Sequence, residues 1–225
     1  MPVDLPLIAV VVPVLVTVLT TLGASRVLRR LPMPAGHPGP EPPWAGLPRP
    51  RWLAGLAVSS LAVGLAGALL APPATAALWW VWAGPVALLV AIDAATTWLP
   101  LSLTRVCALA LLVAVVVALG WGLPPARLGV MALAAVAAFG LFRLLWQFSG
   151  GQLGYGDVRL APMVAAIAAA VSLDTVLLGF IAGSLIGVAL GLWARARGRP
   201  GGFAYGPALW VGPPVALVIQ RLITG

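Results

Sequence analysis

Charge is what this chain has least of. Only 8% of its 225 residues are charged, against 62% that are hydrophobic, and lysine is absent altogether. The acids are just five: Asp4, Glu41, Asp93, Asp157 and Asp174. So little charge among long runs of Leu, Val and Ala excludes a water-soluble domain and describes a polytopic membrane protein. The thirteen arginines bring the net charge to +8. They flank apolar segments and form no basic stripe interleaved with aromatics, which excludes nucleic acid as a partner. They read instead as topology signals and contacts to anionic membrane lipid. A single cysteine, Cys107, lies within an apolar run. It rules out an intrachain disulfide and a cysteine-rich zinc site, and reads as packing. The single histidine, His37, sits in a Pro/Gly-rich loop without partner ligands and reads as a solvated loop residue. There is no tandem repeat, Walker-type phosphate loop or dinucleotide fingerprint, and no metal or other cofactor is expected.

Eight segments approach the length of about 20 residues that spans a bilayer. They run near 5 to 24, 52 to 71, 76 to 93, 102 to 122, 127 to 147, 158 to 171, 174 to 194 and 205 to 222. The sixth is short and bounded by Ser172, Leu173 and Asp174, so merging with the seventh into one bent element is the alternative. The first has no basic residue before it and reads as a retained span rather than a signal peptide. The expected fold is an all-α, polytopic membrane helix bundle of about eight helices. Residues 1–51 make up the first span and a short Pro/Gly-rich loop, and 52–225 the main helix bundle. That loop, 31 to 51, cannot build a core of its own. Gly183, Gly187 and Gly191 recur every fourth position on one face, as helix packing uses them. With the N-terminus outside, eleven arginines fall on the cytoplasmic side and two, Arg127 and Arg221, opposite. The positive-inside rule therefore favours that orientation.

The same orientation brings Asp93, at the end of the third segment, and Asp157, at the start of the sixth, to the cytoplasmic side together, while Asp4 and Asp174 fall outside. A carboxylate among membrane segments is expensive and marks function. Two on one side suggest an acid/base pair. Thr96 and Thr97 follow Asp93 by three and four residues, on its face of a continuing helix, where they could donate hydrogen bonds to the carboxylate. Pro100 then ends that stretch or starts the next. Gly150, Gly151, Gly154 and Gly156 clear side chains ahead of Asp157, leaving room for an extended peptide. A Gly-x-Gly-Asp run is expected only ~0.05 times by chance in this composition. A membrane transporter or channel using two functional aspartates is the alternative reading, but it favours carboxylates near the midplane. A non-catalytic scaffold is a third.

These motifs resemble those of the prepilin peptidases, the type IV leader peptidase family of Gly-x-Gly-Asp membrane aspartyl proteases. Asp93 with Thr96 and Pro100 is similar to the family's first motif, and Gly154-Tyr155-Gly156-Asp157 with Arg159 to its second, where lysine is usual in place of Arg159. Gly23-Ala24-Ser25 with Arg30-Leu31-Pro32 is similar to the end of the family's first span. Tyr205-Gly206-Pro207 is similar to its Phe-Gly-Pro stretch. The resemblance implies catalytic Asp93 and Asp157, with Gly154, Tyr155, Gly156, Thr96, Pro100, Arg159, Gly206 and Pro207 binding substrate or shaping the site. It implies a prepilin or pseudopilin substrate, cut on the cytoplasmic side of a bacterial inner membrane. Fuller members carry paired Cys-x-x-Cys motifs associated with a metal and with N-methylation; residues 31 to 51 have none, so a peptidase without methyltransferase activity is expected.

Overall fold

The computed structural model describes residues 5–34, 40–150, 153–197 and 204–224, with side chains from residue 10 onward. Asp4 and His37 lie outside the described residues. The described chain is all helical: α1 (Leu5–Arg30), α2 (Pro50–Leu70), α3 (Ala76–Val81), α4 (Ala87–Thr96), α5 (Leu101–Gly120), α6 (Ala126–Phe148), α7 (Tyr155–Val171), α8 (Leu173–Ala196) and α9 (Gly206–Thr224). A 3-10 turn, Pro73–Thr75, leads into α3, and a π turn, Trp82–Val86, joins α3 to α4. Together these make one rod, Pro73–Thr96.

Seven of the described helices are long and apolar enough to cross a membrane, one fewer than the apolar runs suggest. The exception is α7, which has 17 residues and buries most of them, including an unbroken run from Ile167 to Ala170. Its small side chains let it lie inside the bundle, along α6 and against α8 and α9. It does not merge with α8. Ser172 takes an extended conformation between the two helices, and its hydroxyl accepts a hydrogen bond from the Thr175 N–H at 3.0 Å, capping α8. Gln220 of α9 closes the same polar corner, its amide oxygen accepting from Thr175 Oγ1 at 3.0 Å.

The rod Pro73–Thr96 is the most enclosed of the seven spans. Its π turn has an evident cause. Pro85 has no N–H to return to the preceding turn, so the helix widens there and carbonyls are freed. In hydrocarbon such groups must find partners within the protein. Ser60 of α2 donates to Ala83 O at 2.6 Å, and Ser60 Oγ lies 3.0 Å from Thr17 Oγ1 of α1. The odd turn is thus wired to both neighbouring helices. On its other side two indoles make reciprocal bonds: Trp82 Nε1 donates to Trp210 O at 3.1 Å, and Trp210 Nε1 donates to Trp82 O at 3.0 Å. This pins α9 against the rod. Cys107 is buried in the core, in keeping with a packing role.

Helices α8 and α9 approach closely along the glycine face. Gly183 and Gly187 are buried there, and Gly191 is half-buried. A Cβ on Gly183 would lie 2.9 Å from Ala208 O, and one on Gly212 would collide with Gly179 O. Neither clash is with a flexible side chain, so relief requires moving a helix. Gly212→Ala is therefore expected to lower stability in detergent by about 1–3 kcal/mol, as overpacking does. Gly129→Ala, where a Cβ would meet nothing within 4 Å, is expected to be neutral or stabilising. Denaturant titration of the two purified variants against the parent chain checks this.

Candidate active site

Asp93 lies one turn before the end of α4 and is only 4% exposed. The helix stops at Thr97, whose left-handed backbone (φ 58°) turns the chain away while its N–H still reaches Asp93 O at 2.7 Å. The threonine hydroxyls do not serve the carboxylate, contrary to their expected role. Thr96 Oγ1 donates to Ile92 O at 2.7 Å and accepts from the Trp98 N–H, and Thr97 Oγ1 donates to Thr96 O. At a helix end with free carbonyls, a hydroxyl finds its nearest acceptor in the backbone. Thr96 shapes the turn instead. Pro100, buried, is the N-cap residue of α5 and starts that helix.

The donor to Asp93 comes from 113 residues further along the chain. The Gly206 N–H, at the first residue of α9, donates to Asp93 Oδ2 at 3.1 Å. A helix N-terminus offers free N–H groups and a positive dipole end, which suits a carboxylate. Glycine is needed for the approach, since a Cβ on residue 206 would sit 2.5 Å from Asp93 Oδ2.

Asp157 occupies the first turn of α7 and is 5% exposed. Gly154, extended, precedes the helix as its N-cap residue and accepts from the Asp157 N–H at 3.1 Å. Gly156 has a different task. A Cβ there would lie 2.5 Å from Leu99 Cδ1 and 2.9 Å from Leu99 Cβ, so the bare backbone admits Leu99 from the turn that follows Asp93. The two aspartate segments therefore interlock through one glycine and one leucine.

Both carboxylates line a single cavity of about 690 Å³, together with Gly154, Tyr155, Gly156, Pro100 and Arg159. Tyr155 is fixed at its rim by Trp146, edge-on at 5.1 Å, and by Arg159, whose guanidinium lies 4.7 Å from the ring centroid. Pro207 is not brought to this cavity. It lines a separate apolar depression with Trp52 and Trp210, because the turn of α9 that aims the Gly206 N–H at Asp93 directs the next side chain elsewhere. Thr96 is likewise absent from the cavity wall.

Tyr205, which opens the Tyr205-Gly206-Pro207 stretch, also lines the wall, while sequence reasoning missed Leu99, Ser102 and, from the loop after α1, Met33 and Trp44. Trp44 is 1% exposed and belongs to the core cluster, although the surrounding Pro/Gly-rich loop has no core of its own. A lone indole in such a loop was the available signal. Among the described residues, no group of three or more His, Cys, Asp or Glu side chains is placed to hold a metal ion.

Residues 80–192, half of the chain and the part that carries both aspartates, match the type IV leader peptidase family. The chain belongs to that family. No curated protein and no solved structure matches the chain in the corresponding searches. The family match stops short of α9 and therefore of the Gly206 donor, which is known from the structure. Gly206→Ala is expected to destabilise the protein by about 1–3 kcal/mol. The cost should shrink in an Asp93→Ala background, where the obstructing oxygen is gone. A double-mutant cycle read by denaturant unfolding in detergent measures that coupling.

Proposed function

We propose that this protein is an aspartyl endopeptidase that removes the basic leader of prepilin-like substrates, using Asp93 and Asp157 as its acid/base pair. The observation that carries the reading is the meeting of two buried carboxylates, from the end of α4 and the start of α7, on one cavity in a chain of this family. In the proposed reaction one carboxylate takes a proton from water as the oxygen attacks the scissile carbonyl carbon. The other, protonated, polarises the carbonyl and delivers its proton to the leaving nitrogen. Two like charges held close in a partly desolvated site do not both ionise cheaply, so the pair works as a unit sharing one proton.

The substrate's apolar helix packs among the spans while its leader reaches the cavity. We place that cavity at the cytoplasmic face of a bacterial inner membrane, on the strength of Arg26, Arg29, Arg30, Arg49 and Arg51, which flank the connection between α1 and α2 that contributes to its wall. Gly154, whose bare backbone lines the cavity beside Asp157, suits an extended peptide, and Arg159 keeps positive charge at the wall. The loop after α1 has no cysteine, which argues for cleavage without methylation of the new N-terminus.

Asn preserves the size of Asp but neither takes nor gives the proton. Asp93→Asn and Asp157→Asn are each expected to abolish processing of a co-expressed prepilin, with membrane insertion unchanged. The double variant should be little worse than either single one. Asp→Glu at either position moves the carboxyl by about one methylene, and a shift near 1 Å costs on the order of 10² in rate. Asp174→Asn, at the exposed start of α8, should process normally. Gel shift and N-terminal sequencing in membranes with matched protein levels provide the measurement; near-normal turnover by either Asn variant at 93 or 157 ends this reading.

A second expectation concerns the product. Mass spectrometry of pilin processed by this enzyme alone should find an unmodified N-terminus. One added methyl mass would show that methyl transfer does not depend on paired cysteines here.

A further inference from the structure

Among the described residues, five buried side-chain polar atoms have no hydrogen-bond partner: Trp44 Nε1, Trp79 Nε1, Ser102 Oγ, Arg143 Nη1 and Asp157 Oδ1. Buried polar groups are nearly always paired, and each exception calls for an explanation. Three of the five, Trp44, Ser102 and Asp157, belong to the wall of the same cavity. Asp157 is accounted for by the proposed chemistry. Trp44 is not.

An indole N–H is a donor only and has no other way to be satisfied. The Trp44 ring is held firmly, being 1% exposed and seated in the core cluster by a pair of turns, with the Ala45 N–H donating to Pro42 O at 2.9 Å and the Leu47 N–H to Trp44 O at 3.1 Å. A donor so fixed, shielded from bulk water and lacking an acceptor in its own protein, is suited to an acceptor that arrives with a ligand. The acceptors that any peptide brings are its main-chain carbonyls. A cavity of about 690 Å³ has the size of sites that enclose small ligands, enough for a short stretch of extended chain.

Resting on the peptidase reading above, we propose that the Trp44 indole N–H donates to a main-chain carbonyl of the bound substrate, making the turns around Trp44 a substrate-binding wall. Ser102, at the start of α5, offers a hydroxyl to the same chain segment. The bond is made in the ground state as well as in the transition state, so it acts mainly on KM. Recognition through the main chain sets no side-chain preference at that position.

The test uses the full-length protein in proteoliposomes with a purified prepilin, comparing Trp44→Phe, Trp79→Phe and Asp157→Asn with the parent. Trp79 is the matched control: its Nε1 is also buried and unpartnered, but the ring packs over Gly67, away from the cavity. Trp44→Phe removes the N–H and keeps an aromatic ring. It is expected to lower kcat/KM on the order of tenfold, chiefly through KM, at an unchanged melting temperature. Trp79→Phe should leave both kinetic constants unchanged. Normal KM in Trp44→Phe overturns the proposal. So does an equal loss in Trp79→Phe, or a collapse of the folded fraction in Trp44→Phe, since either assigns the effect to packing. If the parent cleaves and Asp157→Asn does not while Trp44→Phe is normal, only the role of Trp44 falls. If the parent cleaves no prepilin, the peptidase reading falls and this proposal with it.

Discussion

A carboxylate that is 4% exposed at the end of a membrane helix must be given a donor, and Asp93 obtains one from the first N–H of α9. Much of the architecture serves that single bond. Helix α9 is held against the rod Pro73–Thr96 by the reciprocal Trp82 and Trp210 bonds, which fix its height and rotation relative to α4. It is held against α8 by contacts so close that only glycine fits at Gly183 and Gly212. At the far end, Gln220 ties α9 to the capped start of α8. None of these contacts touches Asp93. Each limits how far the Gly206 N–H can drift from the carboxylate. In a medium where water does not compete, such backbone and indole bonds carry the positioning that a soluble enzyme distributes over a larger core.

The cavity also draws on parts of the chain with very different characters. Asp93 and Leu99 come from the most enclosed span and the turn after it, Asp157 from a helix too short to count as a span, and Trp44 from a loop of prolines and glycines. What brings them together is small size at defined places. Gly156 admits Leu99, and Gly206 admits Asp93. In both cases the glycine comes from one segment and the intruding group from another. The glycine of the second aspartate motif is thus a docking surface for the turn that follows the first.

How much of this was legible in the sequence depends on which physical signal each feature leaves. Runs of Leu, Val and Ala are legible because crossing a bilayer demands about 20 apolar residues, and the spans appear close to the expected places. Hydropathy, however, does not distinguish a helix facing lipid from one buried among its neighbours. That is why α7, rich in alanine and enclosed on most sides, counted as one more span. The two aspartates stood out by scarcity, and both line the cavity. Their partners did not stand out. Helical spacing put the Thr96 and Thr97 hydroxyls on the face of Asp93, yet a helix end offers nearer acceptors in its own carbonyls, and those took the bonds. The true donor is a backbone N–H 113 residues away, which no side-chain pattern encodes. Pro207 adjoins that donor in sequence but faces another depression, since consecutive residues of a helix point in different directions.

The position of the carboxylates near helix ends, rather than at mid-span, bears directly on the kind of chemistry the cavity suits. Hydrolysis consumes water, and a pair placed in the middle of the rod would sit beside the Trp82 and Ser60 contacts, where the indole and the hydroxyl are already bonded to carbonyls within the protein. At the end of α4 and the start of α7 the surroundings change. Chain turns replace continuous helix, the wall includes loop residues such as Met33 and Trp44, and Asp157 Oδ1 retains an unfilled acceptor site. Burial there is deep enough to make two charges costly, while both carboxylates still face the cavity. A conduction path requires polar groups along the length of the spans, whereas the described polar contacts within this bundle are local ties between helices. Beside those ties, the two carboxylates are gathered into one acidic pocket near the helix ends.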